Sequence, residues 1–229
     1  MLIGEIREIY RYPVKSFAGE RLETGMAESY GLLGDRQYAF VDEAKEGWDR
    51  FFTARQIPEL LGYQAKFVGE TLNVTSPDGR IFNWDNYLMA EIQTYSKRKM
   101  AMASYSPRNA DLMAVDAASI LIITDRALRT LEAICGKGVD QRRFRANLVV
   151  SLCDGADNES DWIGKRLSVG GAELRVDEPC ERCSMITIDP DTLERDASLL
   201  KNVNEWGYVS ACTLPSARRG RFVSASRCF

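Results

Sequence analysis

No histidine occurs anywhere in this chain of 229 residues. Its absence removes Ser-His-Asp and Cys-His catalytic groups and the common Cys/His zinc centres. Any site must therefore run on thiolate, carboxylate, guanidinium, ammonium or a cofactor. Long apolar runs are missing too: none reaches the roughly 18 residues a membrane helix needs. The opening Met1-Leu2-Ile3-Gly4-Glu5 lacks the charged and hydrophobic regions of a signal peptide. No membrane association is expected, and the cytoplasm is the expected compartment. Nor is there an excess of positive charge. The 30 Lys and Arg against 33 Asp and Glu leave a net charge of -3, which supplies no attraction for a polyanion, so nucleic acid is not an expected partner. Six cysteines are too few and too scattered for a disulfide framework. Cys135, Cys153, Cys212 and Cys228 read as small, reduced, buried residues.

What remains is ordinary soluble composition, 45% hydrophobic and 28% charged, in a length that suits one large or two modest domains. The first third reads as short strands separated by turns. Residues 37–42 carry Tyr38, Phe40 and Val41, and the runs 71–75 and 80–84 flank Ser76-Pro77-Asp78-Gly79, a hairpin signature. Ile3, Ile6 and Ile9 recur at threes, which suits a helix or a bulged strand; a strand is favoured. Residues 85–116 show no steady period and read as a junction between domains. Beyond it, residues 119–123 form a short buried strand. Thr124 can cap a helix with Ala127, Leu128, Leu131 and Ile134 on one face, ending at Gly136. Residues 147–151 and 172–177 read as further strands.

The densest chemistry lies in Pro179-Cys180-Glu181-Arg182-Cys183, just ahead of Thr187-Ile188-Asp189, which looks like a strand. A zinc site would want a second Cys pair. A thioredoxin-like dithiol would want a following helix. The third reading is one soft thiolate bonding a metal carried by an organic cofactor, with arginines neutralising that cofactor's anionic groups. In Arg142-Arg143-Phe144-Arg145-Ala146-Asn147, an extended run would turn Arg143, Arg145 and Asn147 to one side, a face suited to a phosphate or a polar heterocycle. Each of these pieces alone also fits a solvated edge or a surface loop.

Taken together, Tyr12-Pro13-Val14-Lys15-Ser16, Gly34-Asp35-Arg36, Thr53-Ala54-Arg55-Gln56 with Pro58, Phe144-Arg145-x-Asn147, Glu159 with Trp162, and Pro179-Cys180-x-Arg182-Cys183 with Thr187-x-Asp189-Pro190 resemble the MOSC family over almost the whole chain. The resemblance implies a mainly β (α+β) fold: a β-barrel-like MOSC domain over 117–229, a smaller β-rich N-terminal domain over 1–90, and a junction at 91–116. It implies a molybdenum cofactor, with Cys183 as the metal ligand and Cys180 not one. Lys15, Ser16, Arg36, Arg145 and Asn147 would hold the pterin and its phosphate, with Arg182, Arg55 and Thr124 as further contacts. In a strand, Arg182 would point away from Cys183. A pyridoxal-phosphate-type label would also suit such an anion pocket.

The implied activity is reduction of N-hydroxylated substrates, amidoximes or hydroxylated bases, at a Cys183-bound metal. Electrons would come from a separate ferredoxin or flavoprotein, because the chain carries no plant-type ferredoxin cysteine run. The alternative is a carrier of the cofactor, or of sulfur as a persulfide on Cys183. Three departures from the family pattern stand out: Ala146 replaces a proline, Leu193 replaces a glycine, and the Ser/Arg-rich tail at 211–229 lacks the usual Gly-Asp pair, leaving the last barrel strand open to question.

Overall fold

Isoleucines three apart do not suit a plain alternating strand, and in the computed structural model Gly4–Arg11 forms a bulged one, β1. Its register against the later strand Leu148–Leu152 slips between Ile6 and Glu8. That bulge reverses the side-chain alternation, so Ile6 and Ile9 enter the same core. The structure describes residues 1–105, 114–115, 119–207, 210–215 and 219–229, with the backbone alone for 210–215.

The further strands are β2 (Glu20–Leu22), β3 (Thr24–Glu28), β4 (Gly31–Leu32), β5 (Tyr38–Val41), β6 (Gln64–Val68), β7 (Thr71–Thr75), β8 (Ile81–Asn83) and β9 (Ala101–Ser104). They continue with β10 (Ile120–Thr124), β11 (Leu148–Leu152), β12 (Arg166–Val169), β13 (Ala172–Cys180), β14 (Ser210–Pro215), β15 (Gly220–Val223) and β16 (Arg227–Cys228). The helices are α1 (Asn86–Gln93), α2 (Asp125–Cys135) and α3 (Ala197–Trp206).

The main sheet runs β11-β10-β14-β13-β12-β16-β1-β2, and β1 pairs back onto β11, closing a ring. The inside is aliphatic, with Ile6, Ile122, Leu148, Val150, Leu174 and Val176 among its buried residues. Gly4 occupies the closure point, opposite Leu152 on one side and Cys228 on the other. A Cβ there would overlap the Ser151 carbonyl oxygen. The tail does supply strands: β14 lies between β10 and β13, β15 pairs with β3, and β16 bridges β1 and β12. The chain's first strand and its last thus meet in the same ring, so segment 1–90 contributes to the barrel as well as to its own sheets.

Besides β15-β3-β4, whose Ala27, Leu32 and Phe222 join the barrel core, the smaller sheets are β5-β9 and β6-β7-β8. With α1 they enclose an aromatic core containing Phe17, Phe40, Phe52 and Tyr63. The expected hairpin is present, with Val74 opposite Phe82. Segment 85–116 is more ordered than its lack of periodicity suggested. Asp85 caps α1 through the amides of Tyr87 and Leu88, and β9 pairs with β5. Its Ser106-Pro107-Arg108-Asn109 motif lies outside the described residues.

Thr124 caps α2 by accepting from the Ala127 amide at 3.1 Å, and Gly136 ends the helix at φ 65°. Ala127, Leu128 and Leu131 are buried as expected, but Ile134, in the last turn, is 45% exposed. Residues 187–189 are not a strand: Ser184–Thr187 form a 3-10 turn. Ile186 packs against α2 and α3 residues while Ile188 enters the aromatic core, so the segment spans two cores rather than lying in a sheet. Residues 141–144 likewise form a 3-10 turn, which overturns the extended run expected there. Of the cysteines read as buried, Cys228 is; Cys135 and Cys153 are half-buried, and the Cys212 side chain lies outside the described residues. Burial pushes the Cys228 thiol up to about 12.

Candidate functional site

A cavity of about 770 Å³ lies where the aromatic unit meets the barrel, within the usual range for small-molecule sites. Lys15 and Ser16 come from the turn after Pro13, in which the Phe17 amide donates to the Val14 carbonyl at 3.2 Å. Ser16 takes φ 68° there, a conformation a type II turn normally gives to glycine. Its Oγ is buried and has no hydrogen-bond partner among the described residues. Lys15 is also buried; its Nζ donates to the Ala114 carbonyl at 3.1 Å and sits 4.6 Å from the Trp48 ring centre. The aromatic contact offsets part of the cost of burying an ammonium.

Arg36 and Arg145 are both in the left-handed region, at φ 49° and 53°. The Arg145 guanidinium lies 4.3 Å from the Tyr12 ring centre and donates to the Phe17 carbonyl at 2.7 Å. Arg36 pairs with buried Asp35 and reaches the Arg145 carbonyl at 3.3 Å. Tyr12 is thus a platform under both guanidiniums. Burial, outweighing these two cations, pushes its phenol above the usual tyrosine range. Three neighbouring non-glycine residues in this conformation, each costing roughly 1–3 kcal/mol, mark a place shaped for something other than stability.

The opposite wall is the segment leaving β13. Cys180 ends the strand, and residues 181–183 lie outside any regular element. Cys183 occupies the N-cap position of the 3-10 turn, without a side-chain capping bond, and is exposed. Since Arg182 is not in a strand, the alternation that would aim it away from Cys183 does not apply. It lines the cavity beside Cys183, with its guanidinium 5.1 Å from the Phe144 ring centre. Arg143 holds the following turn: it donates to the Thr187 carbonyl at 3.0 Å and to Asp189 Oδ2 at 2.6 Å. That ion pair and the Thr192 and Asp191 amides hold the Asp189 carboxyl below the usual carboxylate range, the Thr192 amide most.

Of the residues expected at the site, Lys15, Ser16, Arg36, Arg55, Arg145, Arg182 and Cys183 line this one cavity. Asn147 and Thr124 do not. Asn147 is fully buried behind Arg36; its Oδ1 accepts from the Leu121 amide at 3.1 Å and its Nδ2 donates to the Tyr10 carbonyl at 3.2 Å. Thr124 caps α2 and donates to Glu159 Oε1 at 2.7 Å. Both are internal: Thr124 ends β10 and Asn147 immediately precedes β11, two paired strands of the ring. Glu178, Glu181 and the Tyr12 platform were not singled out from sequence. The signal was their position, within or beside motifs already quoted.

Family models now bear on the same geometry: the one described as MOSC N-terminal beta barrel domain matches residues 3–126, and the one described as MOSC domain matches residues 109–225. The chain belongs to the MOSC family. Among its relatives, the MOSC chain is 26% identical over 232 residues to mitochondrial amidoxime reducing component 2 of Macaca fascicularis, covering 83% of this chain and 68% of that one. It is 27% identical over 235 residues to mitochondrial amidoxime reducing component 2 of Homo sapiens, with the same coverage. A shorter match, 31% over 109 residues, joins 47% of this chain to 13% of the molybdenum cofactor sulfurase of Drosophila yakuba. The crystal structure of the YUAD protein from Bacillus subtilis shares the MOSC fold at a TM-score of 0.53 and 13% identity, covering 99% of this chain and 94% of that one.

The donor set of this MOSC cavity fits an anionic group that brings a metal. Its inner wall offers buried and half-buried cations and an orphan hydroxyl, and its outer wall offers the exposed Cys183 thiol beside the half-buried Cys180. Among the described residues, no group of three or more Cys, Asp or Glu side chains could hold a metal ion. A metal at Cys183 would have to arrive with ligands of its own. No helix among those residues is long and apolar enough to cross a membrane.

Proposed function

We propose that this chain is a molybdenum-cofactor-dependent oxidoreductase that reduces N-hydroxylated compounds, amidoximes and hydroxylated bases, to the parent base and water. The single observation that carries the reading is that Cys183 is exposed on the same cavity that receives Lys15, Ser16, Arg36 and Arg145. The names of the amidoxime reducing relatives supply the substrate class. When bound, the cofactor supplies two-electron removal of an oxygen atom. The residues do the rest. Cys183 offers a soft anionic ligand on the solvent side, where a substrate enters without crossing the barrel.

Lys15, Arg36 and Arg145 would hold anionic oxygens of the cofactor by charge-assisted hydrogen bonds, and Ser16 Oγ, which has no hydrogen-bond partner among the described residues, would donate one more. The Tyr12 ring, Asp35 and Asn147 keep the guanidiniums in place, so little ordering remains to be done on binding. Arg182 and Arg55 complete the positive wall. Two electrons and two protons per turnover are required, and a separate ferredoxin or flavoprotein delivers the electrons.

The test is Cys183→Ala against Cys180→Ala in protein produced with cofactor supply. Cys183→Ala is expected to lose molybdenum, measured by mass spectrometry, and reduction of a model amidoxime by dithionite-reduced dye. Cys180→Ala is expected to keep the metal. Equal metal in wild type and Cys183→Ala overturns the assignment. Metal retained without multiple turnover in the wild type points instead to the carrier reading, which the short match to the sulfurase would favour.

A further inference from the structure

The cavity is polarised. Among the described residues, five of its six cations, Lys15, Arg36, Arg143, Arg145 and Arg182, are buried or half-buried, and only Arg55 is exposed. Among the described residues two acids line it, both exposed: Glu178, two residues before Cys180, and Glu181, between Cys180 and Cys183. Glu178 is placed there by a bulge: the register of β13 on β14 slips between Val176 and Glu178, which re-aims the strand's end. Glu181 stands in the irregular segment leading to Cys183. Among the described residues, neither carboxylate makes an ion pair or a side-chain hydrogen bond, although arginines line the same cavity. By contrast, Asp35 pairs with Arg36 and Asp189 with Arg143. Two uncommitted negative charges therefore stand beside the exposed thiol, facing whatever arrives from solvent.

We propose that Glu178 and Glu181 are specificity-determining residues, a negative rim that draws cationic N-hydroxylated substrates to Cys183 and turns anionic ones away. The proposal rests on the reductase reading and deepens it. The inner cations are matched by the anionic group they hold; the rim carboxylates have no such match and act on the incoming molecule. Arg55 is the opposing exposed charge, so its removal acts in the reverse direction.

The deciding experiment needs neither metal nor turnover. In the metal-free chain, Cys183 is labelled with a matched pair of methanethiosulfonates, one carrying a trimethylammonium and one a sulfonate, and the Cys183 peptide is quantified by mass spectrometry. Glu178→Gln/Glu181→Gln is expected to lower the cation-to-anion rate ratio by about tenfold at low ionic strength, and by less at about 0.5 M salt, where screening shortens the reach of both charges. Arg55→Gln is expected to raise it. Both variants change exposed side chains, and unchanged thermal melting shows that the fold is kept. A fall of less than threefold in the double variant overturns the proposal.

In loaded enzyme, the same double variant is expected to lose its preference for an aryl amidoxime bearing a quaternary ammonium over one bearing a carboxylate. If the wild type reduces neither amidoxime while the labelling ratio moves as expected, the reductase reading fails and the charge filter stands. If both are reduced with an unchanged preference in the variant, the filter fails and the reductase reading stands.

Discussion

The barrel interior and the cavity wall are built on opposite principles. Inside the ring, Ile, Val and Leu side chains alternate along hydrogen-bonded strands, and a glycine sits where two backbones come too close for a Cβ. At the cavity, turns replace strands, charges replace methyl groups, and Ser16, Arg36 and Arg145 adopt a backbone conformation that L-residues avoid. The first arrangement contributes stability. The second draws on it, by holding strained turns and a buried unsatisfied hydroxyl ready for a ligand. Substitutions should therefore have opposite signs in the two regions.

Gly4→Ala tests the scaffold side and has the largest expected effect. Its Cβ would overlap the Ser151 carbonyl, a backbone atom that cannot swing away, so a loss of about 3 kcal/mol is expected in denaturant melts. An unchanged midpoint would break the comparison at its stable end. Ser16→Gly tests the other side. It relieves the positive φ and deletes the orphan hydroxyl, at the cost of a more flexible unfolded chain, and a net gain of about 1 kcal/mol is expected together with weaker retention of cofactor. A variant that loses both stability and cofactor would show Ser16 to be part of the scaffold.

Glu159 sharpens the boundary between the regions, with the smallest expected effect. It is buried under the Thr124 cap, and burial, outweighing the hydrogen bonds from Thr124, holds its carboxyl above the ordinary carboxylate range. The folded chain thus keeps a proton over an interval in which the unfolded chain has already released it, so this group's contribution to stability falls as pH rises through that interval. Glu159→Gln has no such proton. The stability of wild type relative to the variant should decline from about pH 4.3, the unfolded glutamate value, and level off above the folded value. A flat difference in urea melts across that range would place Glu159 outside the linkage.

Much of the scaffold was legible in the sequence. The hairpin about Pro77-Asp78-Gly79, the buried strand before Thr124, the capped helix and its Gly136 stop each depend on neighbours a few residues away, and each is present. Positions 187–189 misled because a short apolar run has the same pattern whether it pairs in a sheet or spans two cores. The Arg-rich run misled for a related reason: Asp140 caps a turn at 142 that the alternation ignored. Asn147 and Thr124 carried the chemistry of a binding site, but inside the closed sheet Asn147 bonds backbone groups and the Arg36 guanidinium, and Thr124 bonds the Ala127 amide and the Glu159 carboxyl.

Composition and local pattern alone determined that no imidazole takes part, that a thiol stands among arginines, and that strand outweighs helix. Tertiary structure decided which of those charges meet. Arg36 and Arg145 touch across 109 residues of chain, and Ser16, Arg36 and Arg145 hold left-handed turns because the surrounding packing over-determines them. The division of the cavity into a cationic interior and an acidic rim was likewise beyond local pattern, since burial of a charge is a property of what covers it, and what covers it comes from elsewhere in the chain.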